Sequence, residues 1–258
     1  MSQLEFFAGQ QSASRQSCGE NAPVVKRRAS ITSRGRHATS TILRLFPDFN
    51  DQAMSSNSKC NDLLDASIMT CAIETFFDAS YPTHERFPRR FVVEFRQLTK
   101  NGRIGVKVLY DGRQIGDFLT DNSHEDDGYR FHDVFHLSFA AVLGWSPMAR
   151  TMFGCKRKSR PDVDEVEDGA RSKILEEAIC AIVFAYARDR AFLDRATTVD
   201  NELLSTIKSL TRGREVERRS EKDWESAILQ SYCAWRLMRE NQGGELIGDL
   251  CDRTITYR

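Results

Sequence analysis

Two dipeptides, Asn101-Gly102 and Asp111-Gly112, sit between short runs rich in β-branched and aromatic residues. Each pair accepts the positive φ angles of a two-residue hairpin turn, a conformation that side chains with a branched Cβ resist. Three strands are therefore predicted, over Phe91–Leu98, Ile104–Tyr110 and Gln114–Leu119. Consecutive strands joined by such tight turns must run antiparallel, so a small meander follows. Beyond residue 126 the apolar period changes from two to about 3.6. Helices are predicted over Asp127–Leu143, Asp164–Asp189, Asn201–Leu210 and Asp223–Glu240, with a further one over Asp62–Asp78. The tail Leu246–Tyr257 reads as an added strand. Strands followed by helices give an α+β fold, a small antiparallel meander followed by a bundle of four to five helices, not a doubly wound sheet.

The N-terminal 60 residues are of another kind. They are rich in serine and arginine, lack apolar periodicity and read as a disordered tail, leaving residues 61–258 as a single domain. Lys26-Arg27-Arg28-Ala29-Ser30 is a phosphorylation or targeting candidate within that tail. Acidic and basic residues balance at 37 each, which argues against a dedicated nucleic-acid or membrane-surface binder. No apolar run is long enough for a membrane span. Seven scattered cysteines, an odd number with no C-x-x-C pair, read as reduced thiols and place the protein in the cytoplasm.

Candidate chemistry concentrates in two helices. His132 and His136 stand four positions apart, so on a helix both imidazoles share a face, and that face also carries Phe135, Phe139 and Leu143. Extending the apolar stripe of the Asp164–Asp189 helix backwards from Leu175 reaches Arg171, Asp168 and Asp164, with Glu176 and Glu177 at its borders. Charge on an inward face is costly unless it is paired or holds a metal. The expected centre is a divalent ion held by His132, His136, Asp168 and Glu176. Asp133, Glu176 and Glu177 are the candidate catalytic carboxylates. Oxygen ligands favour Mg²⁺ or Mn²⁺, while imidazole ligands admit Zn²⁺ or Fe²⁺ as well. Arg130, Lys156, Arg157 and Arg171 are candidates to offset phosphate charge, and Asp121 and Asn122 to contact a substrate. For each group the alternative is structural: satisfied core histidines, a salt-bridge network, or a solvated basic loop.

Several longer blocks carry a family resemblance. They are Gly116–Asn122, Asp127–His136, Ala141–Pro147 and Asp164–Arg171, continued by Glu176–Ile179, Thr206–Lys208 and Trp224–Gln230. Over roughly residues 85–258 the chain resembles the C-terminal domain attached to some MazG-type nucleoside triphosphate pyrophosphohydrolases. The resemblance implies a nucleotide as ligand. It also implies association with a pyrophosphohydrolase domain, or a homo-oligomer. MazG-type enzymes bind Mg²⁺ through E-E-x-x-E and a later E-x-x-D in an N-terminal helical domain, and neither motif precedes residue 85 here. A partial echo lies inside the matched region. His132-Asp133-x-x-His136 stands in the place of E-E-x-x-E, and Glu176-Glu177 resembles the second metal helix of an all-α pyrophosphohydrolase. Two expectations remain: an enzyme that releases pyrophosphate from a nucleotide, or a non-catalytic module that senses nucleotides or docks on a partner.

Overall fold

The structure is a computed structural model that describes residues 76–258. The predicted tail, Cys18, Cys60, Cys71 and all but the last three residues of the helix expected over Asp62–Asp78 lie outside the described residues. The meander forms as expected: β1 (Arg90–Lys100), β2 (Arg103–Tyr110) and β3 (Arg113–Leu119). Both turns are left-handed at both central positions, with φ of 52° and 73° at Asn101 and Gly102, and 49° and 73° at Asp111 and Gly112. This is the backbone that matches the twist of the flanking strands.

The sheet is larger than the meander. The C-terminal segment folds as a hairpin, β4 (Gly243–Asp249) and β5 (Thr254–Tyr257), and β4 pairs antiparallel with the free edge of β1. The order is β3-β2-β1-β4-β5, which makes β1 the central strand. Along β1, Phe91, Val93 and Phe95 are buried while Val92 is exposed, the period-two signature of a strand with one face on a core.

Six α-helices are described, all between β3 and β4 in the chain: α1 (Asp133–Leu143), α2 (Pro147–Met152), α3 (Pro161–Val166), α4 (Ala170–Arg188), α5 (Asn201–Leu210) and α6 (Glu221–Glu240). Every residue of α1 is buried. It packs on α6 and on β4 and β5. Phe135 meets Tyr232 and Trp235, and Phe139 meets Trp224. A helix enclosed on all sides has no solvent to satisfy its polar side chains, so each one needs an internal partner.

Two helices begin later than the sequence suggests. The segment before α1 is a 3-10 turn, Tyr129–Phe131, and His132 precedes the first residue of the α-helix. The single helix predicted over Asp164–Asp189 is broken between Val166 and Ala170. Gly169 explains the break. Its backbone is extended, and a Cβ there would stand 2.0 Å from the carbonyl oxygen of Glu165, a contact no other residue could tolerate. The Ser172 hydroxyl closes the gap by donating to the Val166 carbonyl at 2.6 Å.

Candidate metal centre

The start of α1 and the first half of α4 bring five titratable side chains together. Nδ1 of His136 lies 2.8 Å from Oε1 of Glu176. A carboxylate only accepts, so Nδ1 carries the proton and donates. Glu176 is fully engaged: Oε1 also accepts the Ser146 hydroxyl at 2.6 Å, and Oε2 accepts the Met148 amide at 2.9 Å. Ser146 is itself fixed as the N-cap of α2, accepting the Ala149 amide, with Pro147 at the first helical position. Glu176 therefore orients His136 and has little capacity left to bind an ion directly, contrary to the double role expected of it.

His132 is fixed in the same way. Its Nδ1 donates to the Tyr129 carbonyl at 3.0 Å, and the Tyr129 ring stacks on the imidazole at 4.6 Å between centroids. In both histidines the proton sits on Nδ1, so in the neutral rings the lone pair is on Nε2. Nε2 of His136 is buried with no hydrogen-bond partner. It lies 3.3 Å from Oε1 of Glu177, too poorly aligned for a hydrogen bond yet close enough for strong repulsion between two lone pairs. Either a proton or a cation between them removes that repulsion. Asp133 stands beside both rings, with Oδ1 at 3.7 Å from Nε2 of His132, and no hydrogen-bond donor meets its carboxylate among the described residues. One ligand atom each from His132, Asp133 and His136 fall within 4.8 Å of one another, and all three residues are buried.

The electrostatics follow from burial and neighbours. Burial pulls the His132 imidazole below its ordinary range and keeps it neutral. Burial also opposes charge on His136, but Cys180 and Glu176 outweigh it and raise its pKa well above the ordinary value. Burial pushes the Asp133 carboxyl up. Pairing with the His136 ring 3.3 Å away holds Glu177 down against the opposing effect of burial, so it stays ionised at neutral pH. The Cys180 thiol, 3.8 Å from Nδ1 of His136, is pushed up to about 11 by burial.

The donor set fits a cation. Two imidazole nitrogens with a carboxylate is ligation suited to Zn²⁺, Mn²⁺ or Fe²⁺. Each imidazole is backed through its other nitrogen by a carbonyl or a carboxylate, the usual support behind metal-bound histidine.

Asp168 is not part of this cluster. It sits at the helix break and accepts the Arg157 amide at 2.8 Å and the Arg157 guanidinium at 2.7 Å, with Arg150 Nε at 3.4 Å. The periodicity that placed it on the inward stripe assumed an unbroken helix. Three of the residues expected to meet phosphate are also engaged within the fold. Arg157 forks between Asp168 and Glu215, Lys156 pairs with Asp164 at 2.6 Å, and Arg130 binds Asp121, Asp126 and Gln97. Arg171 is exposed at the first turn of α4. Asp121 braces Arg130, and Asn122 is exposed, its side-chain oxygen accepting the Thr120 hydroxyl. Tyr129, Ser146 and Cys180 were not singled out by sequence. Ser146-Pro147 carried a visible signal, an N-cap followed by proline. Cys180 lies one turn beyond Glu176 on the same face.

An antiparallel five-stranded sheet with a helical layer and a buried His-Asp-His cluster defines an α+β protein with a candidate cation centre. The family model described as the MazG C-terminal domain matches residues 72–258, and the chain belongs to that family. No curated protein and no solved structure matches the chain.

Proposed function

We propose that this chain is a metal-dependent hydrolase acting on a phosphoanhydride of a nucleotide, with His132, Asp133 and His136 as the ion's ligands. The observation that carries the reading is the convergence of one ligand atom each from the buried His132, Asp133 and His136 within 4.8 Å of one another. Membership of the MazG C-terminal domain family supports nucleotides as the substrate class. Imidazole ligation favours Mn²⁺, Zn²⁺ or Fe²⁺ over Mg²⁺. When bound, such an ion supplies a water of lowered pKa and charge to offset a phosphoryl oxygen. Glu176, held by Ser146 and Met148, fixes the ring of His136 and its tautomer. Glu177 is the partly exposed carboxylate of the cluster, and it is the group in reach of solvent to take a proton from an attacking water.

The test is metal analysis of purified protein, followed by a panel of nucleoside triphosphates assayed for pyrophosphate release with Mg²⁺, Mn²⁺ and Zn²⁺. Metal-dependent release that is lost in His136→Ala, with the melting transition retained, supports the reading. Undiminished release by His136→Ala would end it.

A second reading is a non-catalytic module that senses a nucleotide or docks on a separate pyrophosphohydrolase domain. It is favoured by the internal pairing of Arg130, Lys156 and Arg157, which leaves the cluster without the expected phosphate clamp. Nucleotide binding without any release would select it.

A further inference from the structure

The donors left unspent by the fold lie elsewhere, around a cavity of about 430 Å³ between the 3-10 turn Thr83–Glu85, the start of β1, the end of β2 and the end of α2. Phe87, Tyr110 and Phe153 supply aromatic walls. Tyr110 meets Phe153 edge-on at 5.0 Å, and Phe87 meets it at 6.4 Å. His84, Arg86 and Arg89 supply the polar lining, and no carboxylate is among the lining residues. Arg86 donates through Nε to the Tyr81 carbonyl at 2.5 Å, and neither of its terminal nitrogens has an acceptor among the described residues. Arg89 gives Nη2 to Asp78 at 2.7 Å, but its Nη1 is buried with no partner. Arg86, a half-buried lining residue with two unspent guanidinium nitrogens, is therefore the principal donor, and an anionic oxygen is the group that would satisfy it.

The mounting is rigid. The Glu85 carboxylate accepts the Ser159 amide at 2.8 Å, and the Glu85 carbonyl accepts Arg150 at 3.1 Å. The Arg89 guanidinium rests on the Phe76 ring at 4.1 Å. Preorganised donors beside flat apolar walls in a cavity of this size match a small ligand with two parts.

We propose that this cavity binds a small aromatic anion, its ring against Phe87, Tyr110 and Phe153 and its phosphate or carboxylate on Arg86 and Arg89. The site shares no residue with the His132–Asp133–His136 cluster and does not depend on it.

The experiment is titration calorimetry on the full chain with two aromatic anions, adenosine monophosphate and benzoate. Their neutral counterparts, adenosine and benzamide, and inorganic phosphate complete the panel. At least one aromatic anion is expected to bind, about tenfold or more tighter than its neutral counterpart and than phosphate, as for a charge-assisted hydrogen bond. Arg86→Gln should weaken that binding by a similar factor, because this side chain is partly exposed and holds only one carbonyl. His136→Ala should leave it unchanged. Tyr110→Ala provides a second, independent loss through the ring. The proposal is overturned if neither anion binds at millimolar concentration, if Arg86→Gln binds as tightly as wild type, if phosphate alone binds equally well, or if His136→Ala abolishes binding.

Discussion

Two buried polar clusters lie in the helical part of this protein, and they differ in how completely their valences are used. In the first, Arg150 and Arg157 meet Asp78, Asp168 and Glu215, and Arg89 adds one nitrogen to Asp78 from the neighbouring cavity. Arg157 spends its amide and guanidinium on Asp168 and Glu215. Arg150 adds two backbone carbonyls, of Glu85 and Cys155. Burial pulls the Arg157 pKa down, but the hydrogen bonds that its guanidinium donates to Asp168 and Glu215 outweigh it and raise it. In the second cluster the imidazoles of His132 and His136 are tied down through Nδ1, and no donor meets the Asp133 carboxylate among the described residues. An orphan atom alone distinguishes little, since Nε1 of Trp145 and Trp224 is also unpartnered. What sets the second cluster apart is convergence: ligand atoms of His132, Asp133 and His136 lie within 4.8 Å of one another. Saturated charge is scaffold, and unsaturated charge that converges is where a ligand belongs.

The comparison breaks most visibly in the first cluster. Arg157→Ala strips Asp168 of its hydrogen-bonded partner and leaves only the Arg150 Nε at 3.4 Å, so chemical denaturation should report a loss of about 3 kcal/mol. Metal content per folded molecule should not change. A stable Arg157→Ala variant that had lost its ion would invert the assignment of the two clusters. The same logic applies to Asp168→Ala, whose expected defect is in folding and not in turnover.

Glu176→Gln probes the boundary between the clusters, because Glu176 is saturated like the first and serves the second. The amide can still accept from Ser146 but no longer carries the charge that holds Nδ1 of His136. Metal affinity, measured by competition with a chelator, should fall by about 10–100-fold, the usual cost of losing the support behind a metal-bound histidine. Unchanged affinity would mean that Glu176 is structural only.

Much of this architecture was legible in residue order. Asn101-Gly102 and Asp111-Gly112 dictated the meander because few other pairs accept left-handed φ at both positions. His132 and His136 were placed correctly on the inward face because α1 is regular from Asp133 onward. The failures share a cause. Periodicity carried backwards from Leu175 put Asp168 on the histidine side, but the helix stops at Gly169, and a broken helix does not propagate phase. Lys156 and Arg157 looked available for phosphate because sequence cannot reveal a partner such as Glu215, which lies 58 residues further along the chain. The β4–β5 hairpin supplied the missing neighbour of β1, a long-range pairing that local pattern leaves open.

The finest test of the comparison is Asp133→Asn in metal-free protein. If the second cluster is an unfilled site, its bare carboxylate should cost stability. Burial raises the Asp133 pKa above its ordinary 3.8, so the native state holds that proton more tightly than the unfolded chain does. The wild type therefore loses stability as pH climbs from 3.8 through the raised value, and the penalty is complete above it. Asparagine cannot ionise, and its amide can donate to the Nε2 lone pair of the neutral His132 ring beside it. At pH 7 the variant should be more stable by on the order of 1 kcal/mol, while metal binding is lost. Below pH 3.8 both side chains are neutral and the advantage should vanish, although acid weakens both proteins through groups such as Asp78, whose pKa is depressed by Arg89 and Arg150 against the opposing effect of burial. A gain that persists unchanged into acid would point to packing as its origin. No gain at neutral pH would mean that Asp133 is already satisfied, and the contrast between the two clusters would lose its clearest member.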